Sequence, residues 1–248
     1  MRLFAKIAYD GSNYAGWQRQ PKDITVQSVL EDALSLLYAG TKTPVVGCGR
    51  TDAGVHADGY ILHFDVPELR YDIDQLTYKW DKMMPSDISV KSIRIVADDA
   101  HARFDAIARS YTYYLHTTKT PFKGKYSTFY PSARDIDIDL LNKVARMIQS
   151  HQDFATFCKT HTDVKTTLCD VSESYWTAVD HENITYRITA NRFLRGMVRL
   201  IVGTSINVAL GKLDFEDLSE HVHNKTKPRH HYSAPGQGLF LDEIIYPY

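Results

Sequence analysis

Residues 47–59 read GCGRTDAGVHADG, in which Arg50, Asp52, His56 and Asp58 are set among four glycines. A carboxylate in such a stretch has two ordinary uses. It can accept backbone N–H bonds as a turn or N-cap group. On a loop bent by glycines it can instead be aimed at a substrate. Asp52, between Gly49 and Gly54, fits both, and the rest of the chain must decide. A different chemistry is suggested by the run Asp52, His56, Asp58, His63, Asp65, since mixed His and Asp can ligate a divalent metal in a hydrolase. That run has no H-E-x-x-H or comparable spacing, and His63 and Asp65 share one strand face several residues past Asp52. His221, His223, His230 and His231 near the end of the chain also lack ligand spacing, so no metal site is expected.

The elements that must carry Asp52 parse cleanly. Leu3–Tyr9 reads as a strand ended by Asp10-Gly11. Thr25 caps a helix in which Val26, Val29, Leu30, Ala33, Leu34 and Leu37 repeat with helical period. Pro44–Cys48 is a short strand entering the glycine-rich stretch, and Tyr60–Val66 alternates as a second. Asp72 caps a helix stopped near Pro85, and Ile88–Val96 is a further strand. This β-α-β-β-α-β order is the ferredoxin-like unit.

The order returns less tidily in the second half. Arg109–Thr117 is a tyrosine-rich strand, Leu140–Ile148 a helix, and Leu168–Ala178 with Ile184–Ala190 a strand pair. Phe193–Leu210 is apolar on most sides and reads as a deeply packed helix. A short helix near Phe215–Val222 precedes a last strand, Leu239–Ile245. The expected architecture is therefore α/β (α+β): two ferredoxin-like, RRM-like halves, residues 1–103 and 104–248, packed pseudo-symmetrically around a central basic cleft.

Composition narrows the class. Of 248 residues, 44% are hydrophobic and 24% charged, as in a folded globular protein. No apolar run approaches the roughly 20 residues that span a bilayer. Three scattered cysteines without a C-x-x-C pair argue against a disulfide framework and for a reducing cytosol. The formal net charge is −1, yet its distribution is uneven. From Arg103 to Arg134 the only carboxylate is Asp105, and Arg187–Lys212 has none while carrying Arg192, Arg195 and Arg199. Lys225, Lys227 and Arg229 follow. A near-neutral chain can thus still offer one basic face to a polyanion.

Several segments together carry a resemblance. GRTDAGVHA at Gly49–Ala57, DGSNYAGWQRQ at Asp10–Gln20, HARFDAIARSYTYYL at His101–Leu115, ANRFLRGMVRLIVG at Ala190–Gly203 and GQGLFL at Gly236–Leu241 resemble, in order, segments of the tRNA pseudouridine synthase A family. The likeness runs from the first strand to the last. It is looser over KPRHHYSAPGQG at Lys227–Gly238, and Ser110 and Thr112 stand where relatives often have basic residues.

The resemblance implies isomerisation of uridine to pseudouridine in the anticodon stem-loop of tRNA, at positions 38, 39 and 40. That reaction detaches uracil from C1′, rotates it and rejoins it through C5. It involves no redox change and no phosphoryl transfer, and no small-molecule cofactor or metal is implied. It needs an ionised carboxylate near the sugar, to attack C1′, to stabilise positive charge there or to remove a proton. Asp52 is the candidate that the motif supplies. By the same resemblance Arg199 keeps Asp52 ionised, Tyr111 stacks on the target base and assists proton loss from C5, and Leu239 packs on that base. The target must be flipped from its stack, and Arg50 is placed to occupy the vacated space or hold the phosphate. Arg19, Arg109, Arg192 and Arg195 are the candidate phosphate contacts. Relatives act as homodimers on tRNA, in the cytoplasm and away from membranes. Three other readings are weighed: a pseudouridine synthase acting on another structured RNA, a metal-dependent hydrolase using the Asp/His run, and a catalytically inactive RNA-binding protein. In the last, Asp52, Tyr111 or Arg199 should be eroded, whereas all three are intact.

Overall fold

The computed structural model describes residues 1–159, 165–228 and 232–248. The expectations for Arg229, His230 and His231 lie outside the described residues. Strands and helices alternate as a mixed α/β chain, with nine strands and five α-helices among the described residues. The chain divides into two compact units, Met1–Ile107 with Phe240–Tyr248, and Ala108–Leu239. The division at 103/104 expected from element order becomes 107/108, and the C-terminal segment returns to the first unit. Three contacts account for this. Ile107 N–H donates to Ile245 O at 2.9 Å, the Tyr246 hydroxyl donates to Ala102 O at 2.5 Å and the Tyr248 hydroxyl to Asp105 at 3.0 Å. A strand returning from so far along the chain leaves no mark in local sequence.

In the first unit, β1 (Arg2–Tyr9) is central, antiparallel to β3 (His56–Asp65) on one side and to β4 (Ile88–Val96) on the other. The two-residue β2 (Val46–Gly47) pairs with β3. β9 (Leu239–Ile245) meets β3 in parallel, with His56 opposite Phe240 and Ala57 opposite Leu241. β3 thus begins at His56, earlier than the alternating Tyr60–Val66 run, because pairing rather than side-chain pattern extends it. Helices α1 (Val26–Leu37) and α2 (Ile73–Met83) are both started by caps legible in sequence. Thr25 and Ser28 form a reciprocal capping box, and Asp72 accepts from Gln75 N–H. Leu30, Leu34, Leu76 and Trp80 on these helices are buried together with Leu3, Ala5 and Ile7 of β1.

In the second unit β8 (Asn183–Ala190) lies between β5 (Ala108–His116) and β7 (Val171–Ala178), antiparallel to both. The stretch 118–136, expected to be irregular, contains β6 (Thr128–Phe129), parallel to β5. α3 (Ile138–Ser150) packs on β7 and on α4 (Met197–Ala209). α5 (Phe215–His223) follows. α4 is buried along nearly its whole length, as its apolar sequence implies, but it starts at Met197 rather than Phe193. Gly196, with φ +71°, interrupts the chain there in the left-handed region. Among the described residues no helix is long and apolar enough to cross a membrane.

His63, buried to 4% exposure, makes the first unit acid-sensitive. Its Nδ1 accepts Ala102 N–H at 3.1 Å, and its ring lies against Phe4 and His101. Burial, with Arg2 and His101 nearby, pushes its pKa down to about 4, and burial lowers His101 in the same direction. The unfolded chain, with histidine near 6.5, binds the proton more readily than the folded one. Stability is therefore fully present above pH 6.5 and falls as pH drops towards about 4, by about 2–3 kcal/mol for His63. Asp65, Asp105 and Asp153 also have lowered values, but they act below the ordinary carboxylate range. Urea titrations across this window check the expectation; a flat midpoint between pH 6.5 and 4 contradicts it.

Candidate active site

The loop carrying Asp52 is gripped by the segment that follows β1. Trp17 N–H donates to Thr51 O at 3.1 Å, and the Thr51 hydroxyl shares a hydrogen bond with the Tyr9 hydroxyl at 2.8 Å. The Tyr60 hydroxyl donates to Gly49 O at 2.5 Å, while its ring stacks on Trp17 with centroids 4.1 Å apart. Val55 N–H closes a turn onto Asp52 O at 3.2 Å. That turn needs a positive φ at its third residue, and Gly54 supplies +74°. Asp52 itself is half-buried.

The four glycines of the motif therefore have different reasons. Only Gly54 takes a positive φ. Gly47 lies against the Tyr60 hydroxyl and the Trp17 ring, and Gly59 against the Asp242 backbone, so neither has room for a Cβ. Gly49 has open space and an ordinary φ. The residues that hold the loop, Tyr9, Gly16, Trp17 and Tyr60, had no role assigned from sequence. DGSNYAGWQRQ marked two of them, but only the fold shows that this segment faces residues 49–55.

His56 belongs to the same grip. It is buried, its ring stacks on Phe240 at 4.5 Å, and its Nδ1 lies 3.1 Å from both Gly11 N and Asp10 Oδ1. Asp10 Oδ1 already accepts the Ser12 N–H and hydroxyl, so acceptance from Gly11 N–H is the bond assigned to Nδ1. The other members of the Asp/His run are engaged separately. Asp58 pairs with Lys91, Asp65 with Arg2, and His63 with the Ala102 backbone. Among the described residues no three His, Cys, Asp or Glu side chains are gathered as metal ligands. In the tail, His221 Nδ1 is bonded to the Thr226 hydroxyl. The three cysteines are buried thiols outside any disulfide, and burial pushes Cys169 up to about 11.

Two of the expected arginines join Asp52 in the first unit. Arg50 Nε donates to Gln18 Oε1 at 3.1 Å. Arg19 is exposed but faces Glu31 and Asp32, each at 3.0 Å, so a phosphate there would share the guanidinium with two carboxylates.

The second unit holds the rest. Tyr111 on β5 is 9% exposed and meets Phe193 edge-on, ring centroids 5.1 Å apart. Its neighbour Tyr113 is 1% exposed, with a hydroxyl bonded to Thr128 at 2.7 Å and to Pro235 O at 3.0 Å. Burial raises the Tyr113 pKa. Tyr113 is thus a core residue with its hydroxyl engaged, and Tyr111 is buried as well. Arg199, half-buried on α4, donates Nε to Ala234 O at 2.6 Å, and its own carbonyl accepts Ala234 N–H. Leu239, 5% exposed, follows the tight 3-10 turn Gly236–Gly238. Arg109 Nη1 donates to Asn191 O at 2.8 Å. Arg192 and Arg195 precede the start of α4, so they do not share a helical face with Arg199.

Comparison with known proteins identifies the family. A family model described as tRNA pseudouridine synthase matches residues 5–105 and 145–247. The tRNA pseudouridine synthase A of Bacteroides fragilis is 42% identical over 246 residues, covering 99% of this chain and 96% of that protein. Its counterpart from Bacteroides thetaiotaomicron is 44% identical over 250 residues, covering 99% and 91%. That of Bacillus subtilis is 36% identical over 249 residues, covering 99% of each. A carboxylate on a loop locked at both ends, inside a likeness that spans both units, has one consistent explanation: the chain belongs to the tRNA pseudouridine synthase family.

Proposed function

We propose that the chain isomerises uridine to pseudouridine at positions 38, 39 and 40 of tRNA, in the anticodon stem-loop. The observation that carries the reading is the locked loop 49–55 presenting a half-buried Asp52 in a member of this family. As the N1–C1′ bond breaks, the sugar carbon gains positive character, and an anionic carboxylate lowers that barrier. The base then turns so that C5 joins C1′, the C5 proton leaves, and N1 ends as N–H. In this reading Asp52 acts at the sugar and Arg199 keeps it ionised. Tyr111 and Leu239 contact the base, and Tyr111 serves the departure of the C5 proton. Arg50 enters the space left by the flipped nucleotide, and Arg19, Arg109, Arg192 and Arg195 meet phosphates. The chain works in the cytoplasm as a homodimer. The finer fold reading, two ferredoxin-like halves, draws support from the β4-β1-β3-β2 and β5-β8-β7 orders.

The test is to incubate the protein with an unmodified anticodon stem-loop transcript in excess EDTA and to map pseudouridine. Conversion at positions 38, 39 and 40 is expected. No conversion there, with conversion of another structured RNA, overturns the substrate, and loss on chelation revives the metal reading. Arg199→Lys keeps the charge and loses the planar fork, so turnover should drop about 10- to 100-fold. Native turnover in that variant removes Arg199 from the site.

A further inference from the structure

Arg50 stands at the end of a chain of side-chain amides whose polarity is set at its other end. Arg50 Nε donates to Gln18 Oε1 at 3.1 Å, and Gln18 Nε2 donates to Gln27 Oε1 at 2.9 Å. Gln27 is half-buried on the first turn of α1. Its Nε2 donates to Glu31 Oε1 at 3.0 Å and to Val45 O at 3.1 Å. Its Oε1 also accepts Arg19 N–H at 2.9 Å. Glu31, 7% exposed, is itself fixed by Val45 N–H and by the Arg19 guanidinium.

The two ends of a carboxamide are alike in shape and are told apart by their donors and acceptors. At Gln27 only one orientation works. Turned over, its oxygen would face a carboxylate and a carbonyl, and its NH₂ would face a backbone N–H. Gln27 therefore offers Gln18 an acceptor. Gln18 must meet it with Nε2, which turns Oε1 outward, so an acceptor is what reaches Arg50.

The geometry points to Gln18 as the positioning residue for Arg50 in base flipping; this rests on the role of Arg50 proposed above. A guanidinium held at Nε keeps its Nη fork for RNA in a rotamer chosen beforehand. Ordering that long side chain then costs little when the nucleotide leaves its stack. Gln18 lies within DGSNYAGWQRQ, but its sequence position alone assigns it no role.

Gln18 and Arg50 are both exposed, so alanine variants should fold. A double-mutant cycle on the stem-loop transcript separates the two ideas. Arg50→Ala should lower kcat about 10²-fold. Gln18→Ala should lower kcat about 5-fold with KM almost unmoved, and the double variant should equal Arg50→Ala alone. In ¹⁵N-labelled native protein the Arg50 Nε–H should exchange slowly with water. That protection should vanish in Gln18→Ala and weaken in Gln27→Met, where Gln18 and Arg50 are both present. Native turnover by Arg50→Ala overturns the Arg50 role and the positioning role of Gln18 with it, while leaving the proposed reaction standing. A slow Arg50→Ala to which Gln18→Ala adds its full separate loss overturns the relay alone. So does an Arg50 Nε–H unchanged by Gln18→Ala.

Discussion

Asp52→Asn is expected to lower pseudouridine formation at least about 10³-fold. The substitution keeps the size of the side chain and removes its charge. The loop is held through Thr51 and the Asp52 carbonyl, contacts that do not depend on that charge. Tritium release from a transcript labelled at uridine C5 measures the step, because the C5 hydrogen leaves only when the new carbon–carbon bond is made. Filter binding measures RNA affinity alongside it and should change little, since a carboxylate does not attract phosphates. A variant that turns over within about tenfold of the native rate would show that the charge is not what the reaction uses.

Gly16→Ala should be strongly damaging although it replaces no proposed catalytic group. Gly16 has φ +93°, and a Cβ there would lie 2.6 Å from Thr51 O and 3.2 Å from the Asp52 carbonyl carbon. Left-handed strain costs about 1–2 kcal/mol and the overlap about as much again. The melting temperature should fall by roughly 5–15 °C. Relief of the overlap must move the Asp52 loop, and a displacement approaching 1 Å can cost about 10²-fold in rate. Gly40→Ala is the control, because Gly40 has φ +85° but nothing within 4 Å of a Cβ. It should lose some stability and keep its turnover when assayed below its own melting point. Equal turnover by the two variants would mean that the grip on residues 49–55 does not position Asp52.

Both predictions draw on parts of the molecule that the sequence displays unequally. Thr25 and Asp72 could be recognised as caps because a cap acts on N–H groups two or three residues away. The period of α1 and the apolar character of α4 were similarly plain. Less plain was the start of α4. Gly196 sits inside an apolar run, and nothing local says that it takes the left-handed region. The start of β3 and the return of β9 were hidden because strand pairing depends on residues far apart in the chain.

The site divides in the same way. Asp52, Arg50, Tyr111, Arg199 and Leu239 could be singled out from sequence because short motifs carry them. Tyr113 could be set aside as a core residue only once its hydroxyl was seen between Thr128 and Pro235. Arg19 looked like any other basic residue until Glu31 and Asp32 on α1 were placed against it, a contact for which the local sequence gives no warning. The same holds for the grip of Tyr9, Gly16, Trp17 and Tyr60 on the Asp52 loop. Residue types and local periods determined which elements form and which groups carry charge. Tertiary structure alone decided which of those groups face one another, because hydrogen bonds and close packing depend on distances in space and not along the chain.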